Sequence, residues 1–216
     1  MIKFHWLIII MSIVVIFGCA YFKTVKEGLT NNDNIVLIGD SILNNSAYVP
    51  AGKSVTDCLK ENTNKVFNFA KDGATIHDCY DQLDRVPLNL NTTNTYIFIS
   101  AGGNDILNRH GYLDSAAINQ LFNSYMEFVK ALRVKFGSAK INICNLFIPS
   151  NPFYQSYQPS IDAWNKLVEE YSYKVGAMYT VVNLHGLLNS PDDFIYDVEP
   201  SQNASEKIAN IIYLTR

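Results

Sequence analysis

No stretch of this 216-residue sequence gathers Lys and Arg into a basic patch, and 17 basic against 20 acidic residues give a net charge of −3. A nucleic-acid partner is therefore not expected. Cysteine is scarce, with four residues at positions 19, 58, 79 and 144, and no pair has the spacing of a zinc site. Cys144 falls in an apolar strand, where inert packing is the default. Cys58 and Cys79 fall in two predicted helices, and the sequence leaves open whether they meet. Charged residues make up only 17% of the chain and hydrophobic ones 48%, which excludes a disordered or collagen-like polymer. There is no internal repeat and no second composition zone large enough for another globular domain. One ordinary core suffices for a chain of this length.

Charge is also absent locally. Residues 6–22 carry none, with Lys3 before the run and Lys23 closing it. At ~1.5 Å per residue such a helix spans about 25 Å, just short of the ~30 Å hydrocarbon core. Residues 1–23 are expected to be a membrane anchor or signal segment, with an uncleaved anchor favoured and Trp6, Tyr21 and Phe22 as interfacial aromatics. Cleavage near Ala20 is one alternative. Lipidation at Cys19 is another, although Phe17 is large for such a site. Residues 24–33 read as a polar linker and 34–216 as the folded domain; residues 24–216 carry a net charge of −5 and read as soluble.

Beyond the linker the pattern becomes regular. Short apolar, β-branched runs at 34–38, 65–70, 95–100, 140–147 and 179–184 read as five strands. Between and after them, residues 55–61, 76–83, 115–136, 160–175 and 204–214 read as helices; in the third, Leu121, Tyr125, Phe128, Val129 and Leu132 recur at helical spacing. Alternating strand and helix with short links predicts an α/β fold, a five-stranded parallel sheet covered on both faces. In such sheets ligands bind beyond the carboxyl ends of the strands.

Three of those ends carry Gly39-Asp40-Ser41, then Lys71-Asp72-Gly73-Ala74, then Gly102-Gly103-Asn104-Asp105. Any one of these triplets or turns is common; three in order, each closing a predicted strand, are not. Together they resemble the first three blocks of the SGNH (GDSL-type) hydrolase family, and the resemblance runs from about residue 35 to the C-terminus. It implies a flavodoxin-like three-layer α/β/α sandwich, no metal or organic cofactor, and a serine esterase acting on small-molecule, glycan or lipid esters. Ser41 would be the nucleophile. The backbone N–H groups of Ser41 and Gly73 and the side-chain amide of Asn104 would form the oxyanion hole. The first loop lacks the donor run that phosphate binding requires, which disfavours a flavin or nucleotide binder.

The fourth block departs from the family. The pattern Asp-x-x-His-Pro is replaced by Tyr196-Asp197-Val198-Glu199-Pro200, with Glu199 in the histidine's place and Tyr196 in the aspartate's. Glu199 itself is the first candidate base, with Tyr196 or Asp197 tuning it, and needs a raised pKa to accept a serine proton. His185 and His110, each following a strand or motif on the same sheet edge, are alternative bases, and His77 is a more remote one. A third possibility is an inactive domain that keeps a glycan- or acyl-binding pocket. Asp40 is expected to brace its own loop, Asp105 to cap the following helix, and Asp192 and Asp193 to be solvated. Trp164 reads as core, and residues 149–159, with Tyr154 and Tyr157, as a lid or specificity loop. A membrane-anchored member would present its domain outside the cytoplasm. Oligomeric state is not legible.

Overall fold

The computed structural model describes residues 29–30, 32–109, 113–174 and 179–215. All five expected strands form: β1 (Asn34–Gly39), β2 (Val66–Asn68), β3 (Thr95–Ser100), β4 (Lys140–Cys144) and β5 (Thr180–Val182). They build one parallel sheet in the order β2-β1-β3-β4-β5, with Ile35 opposite Tyr96 and Gly39 opposite Ser100 in the central pair. The order reverses between β1 and β3, so the crevice where such sheets bind ligands opens at the ends of these two strands.

Side-chain alternation along the strands sorts the core into two halves. Val36, Ile38, Ile97 and Ile99 face one helix layer: α2 (Asp78–Arg85), α4 (Ser115–Lys135) and α5 (Gln158–Lys174), with the fully buried Phe128 and Trp164. Ile35, Leu37, Tyr96 and Phe98 face the other layer, α1 (Val55–Lys60) and α6 (Gln202–Leu214), through Leu59, Ile208 and Ile212. The helix starts are set by side-chain caps: Ser54 and Asp57 form a capping box on α1, while Asp114 and Ser201 accept from the third backbone N–H of α4 and α6. Cys58 lies in one half of the core and Cys79 in the other, across the sheet. They do not meet, and Cys58, Cys79 and Cys144 are all free and buried.

The expected elements stand with shifted ends: the second, fourth and fifth strands are shorter, whereas β1 runs one residue further, α2 ends two later, and α5 and α6 each begin two residues earlier. The fourth strand stops at Cys144 rather than Phe147: Asn145 still donates its N–H to the Val182 carbonyl at 3.0 Å, while its side chain ties the next strand's exit loop, accepting from the His185 N–H at 2.9 Å. Two of the elements not foreseen bear on the site. α3 (Gly103–Leu107) is a single short helix directly after the third motif. A small antiparallel hairpin, β6 (Phe194–Ile195) with β7 (Glu199–Pro200), precedes α6. Both are too short to leave a periodic signature in sequence.

The linker reading of residues 24–33 needs adjustment at its end. Leu29 is buried and donates its N–H to the Tyr213 carbonyl at 2.7 Å, and Asp33 is buried in a local bond to Thr30. Residues 1–23 lie outside the described residues, and with them the expected anchor. Among the described residues no helix is long and apolar enough to cross a membrane.

Candidate active site

The turn after β1 is built on Gly39. Its φ is +136°, which disfavours any side chain, and its amide is clamped at both ends by the buried Gln82 of α2. The Gly39 N–H donates to Gln82 Oε1 at 2.7 Å, and Gln82 Nε2 donates back to the Gly39 carbonyl at 2.8 Å. Asp40 and Ser41 follow, both buried at the sheet's edge. Asp40 braces its loop as expected: the Ser100 hydroxyl donates to its Oδ1 at 2.8 Å and the Ile42 N–H at 3.2 Å.

Ser41 opens onto a cavity of about 70 Å³. Asn104, Glu199 and Asp40 share its walls; the rest is apolar or aromatic, from Ile42, Ile106, Leu107, Leu146, Phe147, Pro149, Ile161, Val198 and, from the segment 149–159, Tyr154 and Tyr157. Three of the four principal candidates therefore meet in one cavity. Leu146 is held by a second two-point amide clamp: its N–H donates to Asn165 Oδ1 at 2.8 Å, and Asn165 Nδ2 donates to its carbonyl at 2.7 Å. The segment 149–159 forms a short 3-10 helix (Pro152–Tyr157) leading into α5, and Trp164 is core.

Gly73 stands on the neighbouring loop rather than in the cavity wall. Its φ of +69° lies in the left-handed region that favours glycine, and a side chain there would touch nothing within 4 Å. The loop is joined to the third motif, since Asn104 Nδ2 donates to the Ala74 carbonyl at 3.0 Å. One amide hydrogen of Asn104 remains for a ligand. Among the described residues, the backbone N–H groups of Ser41 and Gly73 meet no acceptor. Asp105 does not cap α3; it accepts from the Ile76 N–H at 3.0 Å and so fastens the same two loops together.

Glu199 sits at the start of β7, half-buried. Burial pushes its carboxyl above the ordinary range, the adjacent Ser41 hydroxyl draws it down, and the negative charge of Asp72 pushes it up. Its Oε2 is buried without a hydrogen-bond partner among the described residues. The neighbour that tunes it is Asp72, beside Gly73, rather than Tyr196 or Asp197. Neither His77 nor His185 lines the cavity, and both are exposed. His110 lies outside the described residues.

Besides Gln82 and Asn165, two further positioning residues escaped the sequence. Asn45, fully buried, donates to the Pro200 carbonyl at 2.9 Å and to Ser205 Oγ at 2.6 Å, and accepts from the Val55 N–H at 3.0 Å. It thus ties the Ser41 loop to the strand that carries Glu199. Asp193, expected to be solvated, is fully buried and pairs with Lys207 at 2.7 Å while accepting from Asn203 Nδ2 and the N–H groups of Asn189 and Ser190. The hairpin is pinned to α6 by this carboxylate.

Burial, with the nearby Glu199 charge adding to it, pushes the Asp40 carboxyl up to about 7 against the pull of Ser100 and Ile42. The folded chain then holds a proton on Asp40 at pH values where the unfolded chain has released it. Stability is fullest below the ordinary aspartate range and falls as pH rises towards 7. Asp40→Asn keeps both acceptor contacts and cannot ionise. Its melting temperature should exceed that of the wild type by several degrees at pH 8 and should vary less between pH 5 and 8. A parallel pH dependence in the two proteins would refute the assignment.

A family model described as the GDSL-like lipase/acylhydrolase family matches residues 37–202. Among solved structures, a proposed GDSL-like lipase from Parabacteroides merdae is similar at 16% identity with a TM-score of 0.66, over 88% of this chain and 99% of that one. A member of the lipolytic G-D-S-L family from Veillonella parvula is similar at 18% identity with a TM-score of 0.65, over 82% and 94%. The lipase/acylhydrolase from Enterococcus faecalis is similar at 21% identity with a TM-score of 0.61, over 84% and 93%. No sequence among the curated proteins matches the chain.

Proposed function

The chain belongs to the GDSL-like lipase/acylhydrolase family, and from that premise we propose that it hydrolyses a small ester through a Ser41 acyl-enzyme with Glu199 as the base. The observation that carries this reading is the Ser41 hydroxyl beside a half-buried Glu199 carboxylate of raised pKa, one oxygen of which has no partner among the described residues. A free glutamate is too weak a base for a serine hydroxyl; burial next to Asp72 makes this one stronger. No second carboxylate is needed to orient it, since a carboxylate has no tautomer to fix.

In the reaction, Ser41 Oγ attacks the ester carbonyl as its proton passes to Glu199. The developing oxyanion is received by the N–H groups of Ser41 and Gly73 and the remaining amide hydrogen of Asn104. Glu199 returns the proton to the leaving alcohol as the carbon–oxygen bond breaks. Water, deprotonated by Glu199, then attacks the acyl-enzyme, and Ser41 recovers its proton from Glu199 as the acid departs. Asp40 is a structural brace beside this dyad. We also read residues 1–23 as a single membrane anchor that holds the domain outside the cytoplasm, on the strength of the uncharged run 6–22.

Fluorophosphonate labelling of the folded protein, followed by peptide mass mapping, tests the nucleophile. The label is expected on Ser41 and is expected to be absent in Ser41→Ala. No labelling between pH 5 and 9 would turn the reading towards a binding domain that keeps the pocket without the chemistry.

A further inference from the structure

Beside the catalytic cavity lies a larger groove of about 550 Å³. One wall is Ser150, Asn151 and Pro152, at the start of the lid segment; the other is the hairpin, with Phe194, Tyr196 and Asp197. Consecutive residues of the same two segments line the two spaces. Pro149 faces the catalytic cavity and Ser150 the groove, while Tyr196 and Asp197 face the groove and Val198 and Glu199 the cavity. Tyr154 of the lid feels the charges of both Asp197 and Glu199. An ester with its carbonyl at Ser41 therefore has a small apolar space on one side and a larger, mixed one on the other.

We propose that this groove holds the alcohol half of the ester, and that the alcohol is an uncharged sugar ring. The inference rests on the esterase reading and narrows its substrate to a sugar bearing a short acyl group. The volumes decide which half goes where. About 70 Å³ suits a short acyl group, whereas about 550 Å³ lies within the ~300–1,000 Å³ range of small-molecule sites.

The lining decides the class. Tyr196 is 73% exposed, and its ring stands edge-on to Tyr48 with centroids 6.2 Å apart, so a broad aromatic surface faces outward. Such a surface suits the C–H face of a pyranose. Hydroxyl groups need partners as well. Among the described residues, the Asp197 carboxylate and the Asn151 amide N–H₂ make no hydrogen bond, since Asn151 uses only its Oδ1, accepting from the Phe153 N–H at 2.9 Å. Charge sets the remaining condition. Neither space is lined by a described Lys or Arg, whereas Asp197 lines the groove and Glu199 the cavity, so a phosphate or carboxylate on the alcohol would be repelled. Tyr196 and Asp197 hold φ values of +48° and +73°, consecutive left-handed positions that side chains adopt only where the surroundings impose them. This turn sets both residues on the groove.

The test uses full-length protein, methyl 6-O-acetyl-glucoside as the sugar ester, and ethyl acetate, whose alcohol is too short to reach the groove. Replacing both groove residues (Tyr196→Ala, Asn151→Ala) should raise KM for the glucoside about tenfold, the worth of a stacking contact and a hydrogen bond together, with kcat unchanged. The kinetics with ethyl acetate should not move. Equal effects on both esters, or none on either, would overturn the proposal.

Binding is measured separately, by calorimetric titration of Ser41→Ala with the glucoside, so that the groove is judged even if neither ester is hydrolysed and the esterase reading fails. Binding that is lost on Tyr196→Ala supports the groove. No binding, or tighter binding of a monoacylglycerol or of the corresponding acetylated glucuronide, overturns it.

Discussion

Replacing Glu199 by Gln lowers kcat for a small ester by about 10²–10⁴ and leaves KM nearly unchanged, the loss expected when a positioned general base is removed. Gln preserves the size of the side chain and its place at the start of β7, so the change isolates basicity. Steady-state hydrolysis of ethyl acetate by the wild type and the variant provides the measurement. The pH profile carries a second signature. Glu199 acts in its ionised form, so activity appears as pH rises past a carboxyl pKa that burial has lifted, with Ser41 drawing it down and Asp72 pushing it up. Asp72→Asn removes that last push and should move the acid limb to lower pH. A histidine base would leave the limb unmoved by both substitutions, and an unchanged kcat in Glu199→Gln would refute Glu199 as the base.

Gly39→Ala should prevent the domain from folding stably. A β-carbon there would stand 1.9 Å from the Ser100 carbonyl oxygen and 2.7 and 2.9 Å from that residue's carbonyl carbon and nitrogen, at a φ of +136°. These are backbone atoms of β3, paired with β1 at the centre of the sheet, and they cannot yield without parting the two strands. A loss above about 4 kcal/mol is expected, at the exceptional end for a single substitution. Gly52→Ala supplies the contrast. Its φ of +82° is also left-handed, yet nothing lies within 4 Å, so only the conformational cost of about 1–2 kcal/mol applies. Urea denaturation of the two variants separates steric exclusion from backbone preference. Similar midpoints for both would refute the argument.

The strands and long helices were legible because each spans enough residues to express a period of two or of three to four. The positions of Ser41 and Asn104 were legible because parallel sheets present their strand ends on one edge. Glu199 was reached by counting back from Pro200, and it does share a cavity with Ser41. What sequence did not carry was the work of the polar side chains. Asn45 and Gln82 resemble any other surface amide until the fold buries them, because their partners lie 155 and 43 residues away. Asp193 misled for the same reason: a carboxylate in a polar run reads as solvated unless Lys207 is known to stand over it. Asp105 was placed on the right loop with the wrong partner, since its acceptor role crosses to the loop after β2.

The paired amide clamps have a consequence for how the site moves. Gln82 grips the backbone of Gly39 and Asn165 grips that of Leu146, and both grips are buried within the core. Backbone bonds so enclosed exchange with solvent only when the surrounding unit unravels, so the floor beneath Ser41 has no breathing mode of its own. The exposed Tyr196 at the rim carries no such grip. Accommodation to differently shaped substrates then falls to the rim, while the nucleophile keeps a geometry set once, when the chain folds.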